Sequence, residues 1–307
     1  MSISRKYTIT GASGWLGREF IYFLFNNSLV SSLEEFQLFA SKDKKLNFGE
    51  FGIAQARSLL DTPEKEVEST EYFVHLAFLT RDKIPQYGLN RYIEINEALT
   101  DKSIFLISQC KPRFIINVSS GAVFDSKSKE LSIGYAGNPY GFGKLGEERK
   151  LIETSLEISA NIIIGRLWGC TGRYMPINLA YAISDLIYSA LTKREMNVNS
   201  AHQVWRRYVD AGEFMYLLSQ LVRSESSLLL DSGGEIIEIG ELARLISEQL
   251  GKIQLNRPPL APSKIDDYYP KSNEFNLQAQ RLGVNLANLE TQVSRTIMGH
   301  RSQLDFG

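Results

Sequence analysis

Short apolar, β-branched runs recur along the first half of the chain with helical stretches between them, and this alternation constrains the fold more than any other feature. The runs are Lys6 to Thr10, FQLFA at 36–40, YFVHLA at 72–77, RFIINVSS at 113–120 and NIIIGRLWG at 161–169. Between the first two, Leu16, Phe20, Phe23 and Leu24 recur at the spacing of one helix face. Strands covered on both faces read as continuous apolar runs, and parallel strands need crossover helices to join them. The pattern predicts an α/β fold built on a doubly wound parallel sheet.

The second half changes character. It has an apolar helix near Asn178 to Leu191, a long segment VWRRYVDAGEFMYLLSQLV at 204–222, and IGELARLISEQLG at 239–251, closed by a helix-stopping glycine. Prolines at 258, 259, 262 and 270 then mark loops. This half reads as a smaller lobe interleaved with returning parts of the sheet, with no internal repeat and no low-complexity segment.

The first strand runs directly into TGASGWLG, where Gly11, Gly14 and Gly17 are spaced by three and open an amphipathic helix. Strand, glycine turn and helix start together are the context of a dinucleotide site. Glycine lets the backbone approach a pyrophosphate, and free N–H groups at the helix start face the anion. The stretch predicts a Rossmann-type cradle made by Gly11, Ser13, Gly14, Trp15, Leu16 and Gly17. Domain limits follow: a dinucleotide-binding domain over 1–170 with returning parts around 204–250, and a substrate-binding lobe over 171–203 and 251–307.

The end of the second strand decides which nicotinamide cofactor fits. An acid there accepts hydrogen bonds from the ribose hydroxyls, whereas a basic or hydroxyl side chain favours a 2′-phosphate. Ser41 and Lys42 stand there ahead of Asp43, so NADP is expected over NAD.

YGFGK sets Tyr140 and Lys144 four residues apart, on one face of a helix that starts just after Pro139. A cation beside a phenol favours the phenolate and fits it for proton transfer near neutral pH. Lys144 also has the reach to hold the nicotinamide ribose. Ser120, at the end of the FIINVSS run, is placed to hydrogen-bond the reacting oxygen and share its developing charge with Tyr140.

With its GxxGxxG spacing, the chain resembles the extended short-chain dehydrogenases/reductases, the nucleotide-sugar epimerases, dehydratases and reductases, from Thr10 to about residue 297. The resemblance implies that Asp61 in SLLD contacts the adenine amine, that Leu76 and Ala77 of HLA line the cofactor, and that Asn96 in EIN lies beside it. It implies a diphosphate-gripping role for Arg206 in RRYVDAGEF and a nucleotide contact for Asn178 in YMPINLA. Arg166 and Trp168 fall on the family's R..N.YGP stretch, from which Trp168 and Cys170 depart. The second phosphate-binding arginine of an R.GD motif has no counterpart in SKIDDYYPKSNEFN, although Arg257 is near.

Positions 121 and 122 narrow the chemistry. Family 4,6-dehydratases carry Asp-Glu there, and GDP-fucose synthases carry a cysteine at the second place; here the residues are Gly121 and Ala122. The resemblance then implies hydride transfer at one carbon: reduction of a 4-keto group on a nucleotide-activated (deoxy)sugar, or 4-epimerisation with bound NAD. A reductase of a non-nucleotide ketone and a nicotinamide-nucleotide-binding protein without catalysis stand as alternatives.

The bulk numbers limit the partners. With 34 basic and 35 acidic residues the formal charge is −1, so no basic field draws nucleic acid or anionic lipid, and a small-molecule partner is expected. The longest apolar stretch near the N-terminus, Phe20 to Phe25, is too short to span a bilayer. Two cysteines, Cys110 and Cys170, suggest no disulfide framework, and His75, His202 and His300 lie far apart, so a cytoplasmic protein without a metal is expected. The family resemblance implies a homodimer through the helix around Asn90 to Cys110 and the helix beginning at Tyr140.

Overall fold

The computed structural model describes residues 6–63, 67–125, 129–177, 180–223, 227–261 and 265–305. In chain order its elements begin with β1 (Tyr7–Thr10), α1 (Trp15–Asn26), β2 (Phe36–Ala40), β3 (Lys44–Asn47), β4 (Ile53–Ser58), β5 (Tyr72–His75), α2 (Ile84–Tyr87) and α3 (Leu89–Cys110). There follow β6 (Phe114–Ser120), α4 (Pro139–Glu157), β7 (Asn161–Leu167), β8 (Cys170–Thr171), α5 (Ala182–Lys193), β9 (Glu195–Asn197), β10 (Gln203–Asp210) and α6 (Ala211–Leu221). The chain closes with β11 (Leu228–Asp231), β12 (Glu235–Glu238), α7 (Ile239–Gln249), β13 (Gln254–Asn256), β14 (Ile265–Asp267), α8 (Glu274–Arg281) and α9 (Leu289–Asp305). They divide into two compact units: the first runs up to Leu167 and takes in Met215–Leu230, and the second holds Trp168–Phe214 and everything from Asp231 on.

The first unit is built on an eight-stranded sheet in the order β11-β7-β6-β5-β1-β2-β4-β3. The pairings from β7 across to β4 are parallel, and β3 returns antiparallel to β4 at the edge. FQLFA and YFVH are buried at every position, as strands covered on both faces must be. On one face, Phe39, Phe73, Ile115, Ile162 and Ile164 pack against Leu106, Ile107 and Cys110 of α3 and Leu151 of α4. On the other, Phe20 of α1 meets Tyr7 edge-on at 5.8 Å, and Tyr7 stacks between Phe36 and Tyr72. Burying a side chain of this size contributes about 1.5–3 kcal/mol, so both faces hold the sheet rigidly under whatever its strand ends carry.

The chain leaves β1 towards β2 on one side and returns to β5 on the other. That reversal opens a crevice at the carboxyl ends of β1 and β5, where α/β sheets bind their ligands.

In the second unit β10 pairs with β12 antiparallel and with β14 and β8 in parallel, and β13 pairs with β9. Ile239, Leu242, Ala243 and Ile246 form the buried face of α7. Gly251, at φ +87°, ends that helix in the left-handed turn its sequence predicts.

Candidate active site

Three glycines in the loop after β1 serve different needs. Gly11 has φ +72°, and a Cβ there would lie 2.7 Å from the Leu76 carbonyl, so the backbone just after the neighbouring strand β5 excludes a side chain. Gly17 is equally confined, 2.7 Å from Gly11 O and from Ala12 Cα. Gly14 is exposed, and its added Cβ would meet only Gly11 O at 3.2 Å. Its backbone is therefore bare towards solvent, at the N-cap of α1, where no side chain caps the helix. A bare, uncapped helix start at the sheet crevice fits a pyrophosphate. Ser13, Trp15 and Leu16 flank it, each half-buried.

At the end of β2, Ser41 and Lys42 are exposed, while the Asp43 carboxylate accepts the Ser58 N–H at 2.6 Å. Ser58 Oγ donates to Asp61 at 2.6 Å, which fixes that exposed acid beside the end of β4. Leu76 follows β5 and donates its N–H to Thr10 O at 3.2 Å, and the adjoining Ala77 is buried. Asn96 on α3 is buried and accepts the Leu79 N–H at 2.7 Å, so its amide shapes the loop after β5.

Asn138 ties the helix of Tyr140 to the turn of Ser120. As N-cap of α4 it accepts the Gly141 N–H at 3.0 Å, and its Nδ2 donates to Ala122 O at 2.6 Å and Ser132 Oγ at 2.8 Å. Gly141 completes the fit, since a Cβ there would overlap the Ala122 carbonyl oxygen. Ser120 caps the 3-10 turn Gly121–Val123, accepting the Ala122 N–H at 3.1 Å. Ser120 and Tyr140 thus stand at two element ends fastened together.

Lys144 lies one turn further into α4 and is buried. Its ammonium donates to Val118 O at 3.0 Å and to Glu147 Oε1 at 2.8 Å, and it lies 4.3 Å from the centre of the Phe78 ring. Phe78 also meets Tyr140 edge-on at 5.8 Å. Glu147 is wholly buried; burial works to raise its carboxyl pKa, but Lys144 and then His75 outweigh it and hold the group below the usual carboxylate range. Next along α4, Glu148 binds Arg166 of β7 through two hydrogen bonds of 2.9 and 2.7 Å, pinning helix to sheet.

In the second unit, Arg206 is already paired. Its two terminal nitrogens meet the Asp266 carboxylate at 3.2 and 2.9 Å, and its guanidinium lies 5.8 Å from the Tyr268 ring centre. Arg207 is buried and donates to Gly234 O, Ser272 O and Asn273 Oδ1, a structural clasp. Arg257 is held by Glu238, whose carboxylate also caps α7. Trp168 donates its indole N–H to Asp231 at 2.8 Å. Asn178, the expected nucleotide contact, lies outside the described residues.

The sequence profile of the NAD dependent epimerase/dehydratase family matches residues 7–240. The chain belongs to that family. With it the chain joins the short-chain dehydrogenase/reductase enzymes, as its sequence resemblance implies. Solved structures of the same fold include MoeE5 in complex with UDP-glucose and NAD, at 17% identity and TM-score 0.73 over 97% of this chain and 99% of that one. Another is the UDP-N-acetylglucosamine 4-epimerase from Methanobrevibacter ruminantium M1, at 17% identity and TM-score 0.75 over 98% and 99% of the two chains. A third is TunA, an NAD-dependent NDP-hexosamine 5,6-dehydratase of tunicamycin biosynthesis, at 15% identity and TM-score 0.74 over 97% and 98%. No curated protein sequence matches the chain. Among the described residues, no helix is long and apolar enough to cross a membrane.

Within this epimerase/dehydratase chain, several residues around the expected site escaped sequence reasoning. Asn138 carried a signal, because Asn before Pro at a helix start is an N-cap pattern. Phe78 and Asp266 carried none, since their partners come from distant parts of the chain; Glu147 stands three residues from Lys144, but its second partner, His75, comes from β5.

Proposed function

We propose that this enzyme is an NAD(P)-dependent oxidoreductase that reduces the 4-keto group of a nucleotide-activated (deoxy)sugar. The observation that carries the reading is the Asn138 and Gly141 lock, which seats the helix of Tyr140 and Lys144 on the turn of Ser120. Bound nicotinamide dinucleotide supplies hydride chemistry at this place. Gly11, Gly14 and Gly17 cradle its pyrophosphate, Asp61 meets the adenine, and Lys144 holds the nicotinamide ribose.

Ser120 Oγ and Tyr140 Oη hydrogen-bond the reacting oxygen and stabilise the charge that develops on it. Tyr140 delivers its phenolic proton to that oxygen, and the Lys144 ammonium stabilises the phenolate left behind. Gly121 and Ala122 offer no acid or base, so no elimination partner stands beside the serine. Exposed Ser41 and Lys42, with Asp43 engaged by Ser58, support NADP as cofactor.

Arg206 is the expected diphosphate clamp of the lobe; for a nucleotide to take its fork, Asp266 has to release it. 4-Epimerisation is the second reading, favoured by the same lack of acids at 121 and 122. The test is oxidation of NADPH or NADH with 4-keto-6-deoxysugar nucleotides, run beside interconversion of UDP-glucose and UDP-galactose. Tyr140→Phe is expected to lose at least about a hundredfold in rate; a variant as active as the parent refutes the reading.

A further inference from the structure

Behind Lys144 lies a row of buried polar groups that the proposed chemistry does not use. Glu147 Oε1 takes one N–H of the ammonium, while its Oε2 faces His75 Nε2 at 3.4 Å. Neither of those two facing atoms has a hydrogen-bond partner among the described residues. On its other side, His75 Nδ1 is 2.8 Å from Thr10 Oγ1, which accepts the Leu76 N–H at 3.3 Å. In the tautomer that serves as a brace, the threonine hydroxyl donates to Nδ1, leaving the imidazole proton on Nε2, the nitrogen on the side of Glu147.

Thr10, His75 and Asn117 are register partners across β1, β5 and β6, so their side chains share one face of the sheet. Asn117 is fully buried, and neither end of its amide has a hydrogen-bond partner among the described residues. The row therefore runs from the residue before Gly11 to the ammonium of Lys144.

A buried ion pair is a poor way to gain stability, because removing two charges from water costs about as much as their attraction returns. An apolar residue would have filled this place on α4. A carboxylate there does what an apolar residue cannot: it keeps a buried ammonium charged and fixes where its remaining N–H points.

We propose that Glu147, braced by His75 and Thr10, is a positioning residue that keeps the Lys144 ammonium charged and oriented for the cofactor ribose, and so sets the alkaline limit of cofactor binding. This rests on the reading of Lys144 as a cofactor ligand. The ionisable groups around Glu147 are Lys144 and Glu148 on its own helix, His75 on β5 and Arg166 on β7; Tyr92 and Glu97 of α3, Tyr135, and Lys150 of α4, itself paired with Asp101, line the same small cleft. Arg166 is neutralised by Glu148, which leaves the Lys144 ammonium as the charge that Glu147 answers.

The test is titration of the full chain with NADH and NADPH, followed by nucleotide fluorescence across neutral to alkaline pH, for the wild type and Glu147→Gln. Gln keeps the shape and removes the charge. Its affinity is expected to fall away with rising pH starting about one pH unit or more below the wild type, with near-equal affinity at neutral pH. A dissociation constant scaled by one factor at every pH marks a purely structural role and overturns the proposal. Nitrogen-15 NMR of the wild type gives a second reading that needs no variant to fold: His75 is expected as the Nε2–H tautomer, and the Nδ1–H tautomer overturns the bracing. If the wild type binds neither nucleotide, the functional reading fails and takes this inference with it; if it binds and the two pH curves run parallel, the inference alone fails.

Discussion

Asn138 performs two tasks that substitution can separate. Its Oδ1 caps α4 through the Gly141 N–H, and its Nδ2 holds the Ala122 carbonyl and Ser132 Oγ. Serine keeps the cap, because it is among the best N-cap residues, but is too short to reach Ala122. Alanine loses both. Losing the cap costs about 1 kcal/mol, and leaving a part-buried carbonyl unmet costs about 1–2 kcal/mol, towards the low end for partial exposure. Asn138→Ser is thus expected to lose about 1–2 kcal/mol and Asn138→Ala about 2–3 kcal/mol. Urea denaturation followed by circular dichroism measures both, and amide hydrogen exchange at Ala122 and Phe124 locates the loss. If Asn138→Ser is as stable as the parent with unchanged exchange, the bond to Ala122 carries nothing, and the docking of α4 on the Ser120 turn needs another cause.

Further expectations follow from the loop, the lobe and a buried histidine. Gly11→Ala forces a left-handed residue against the Leu76 carbonyl and is expected to cost about 2 kcal/mol or more of stability. Gly14→Ala sets a methyl 3.2 Å from Gly11 O, a tight contact at ordinary φ, so it is expected to cost less stability than Gly11→Ala while binding NADPH and NADH at least tenfold more weakly, as calorimetric titration reads. Asp266→Asn frees the Arg206 fork and is expected to tighten UDP binding several-fold; unchanged affinity removes Arg206 from the diphosphate site. His300 is fully buried, and burial pushes its pKa down to about 4. The unfolded chain therefore takes up this proton first, so stability is whole above about pH 6.5 and falls, by up to about 3 kcal/mol, as pH drops towards 4. His300→Gln is expected to flatten that part of the urea-midpoint profile.

What was legible in the sequence follows from how far apart the interacting residues lie. β1, β2, β5, β6 and β7 announced themselves as β-branched runs because both of their faces are buried. β3 and β4 did not: KKLN is the edge strand, where lysines guard exposed backbone, and IAQARS beside it is only partly covered, so polar residues blur the pattern in both. The glycine loop and the Tyr140–Lys144 pair were legible because strand-to-turn and helix spacings are local. Glu147 was readable as a helix residue, but its partner His75 comes from β5, under the packed face of α4, and Asp266 reaches Arg206 through the pairing of β14 with β10. No local pattern encodes such meetings.

The chain passes between the two units three times, after Leu167, after Phe214 and after Leu230. During synthesis the first unit therefore stays incomplete long after its glycine loop and Tyr140 have left the ribosome, because β11, the edge strand beside β7, arrives some sixty residues later. Until then NIIIGRL presents an open apolar edge, the kind of surface on which nascent chains aggregate. A fragment ending at Leu167 would carry the glycine loop and Tyr140 and still leave that edge unpaired. The sheet under the glycine loop is thus closed by one of the later segments of the chain rather than by the half that carries the loop.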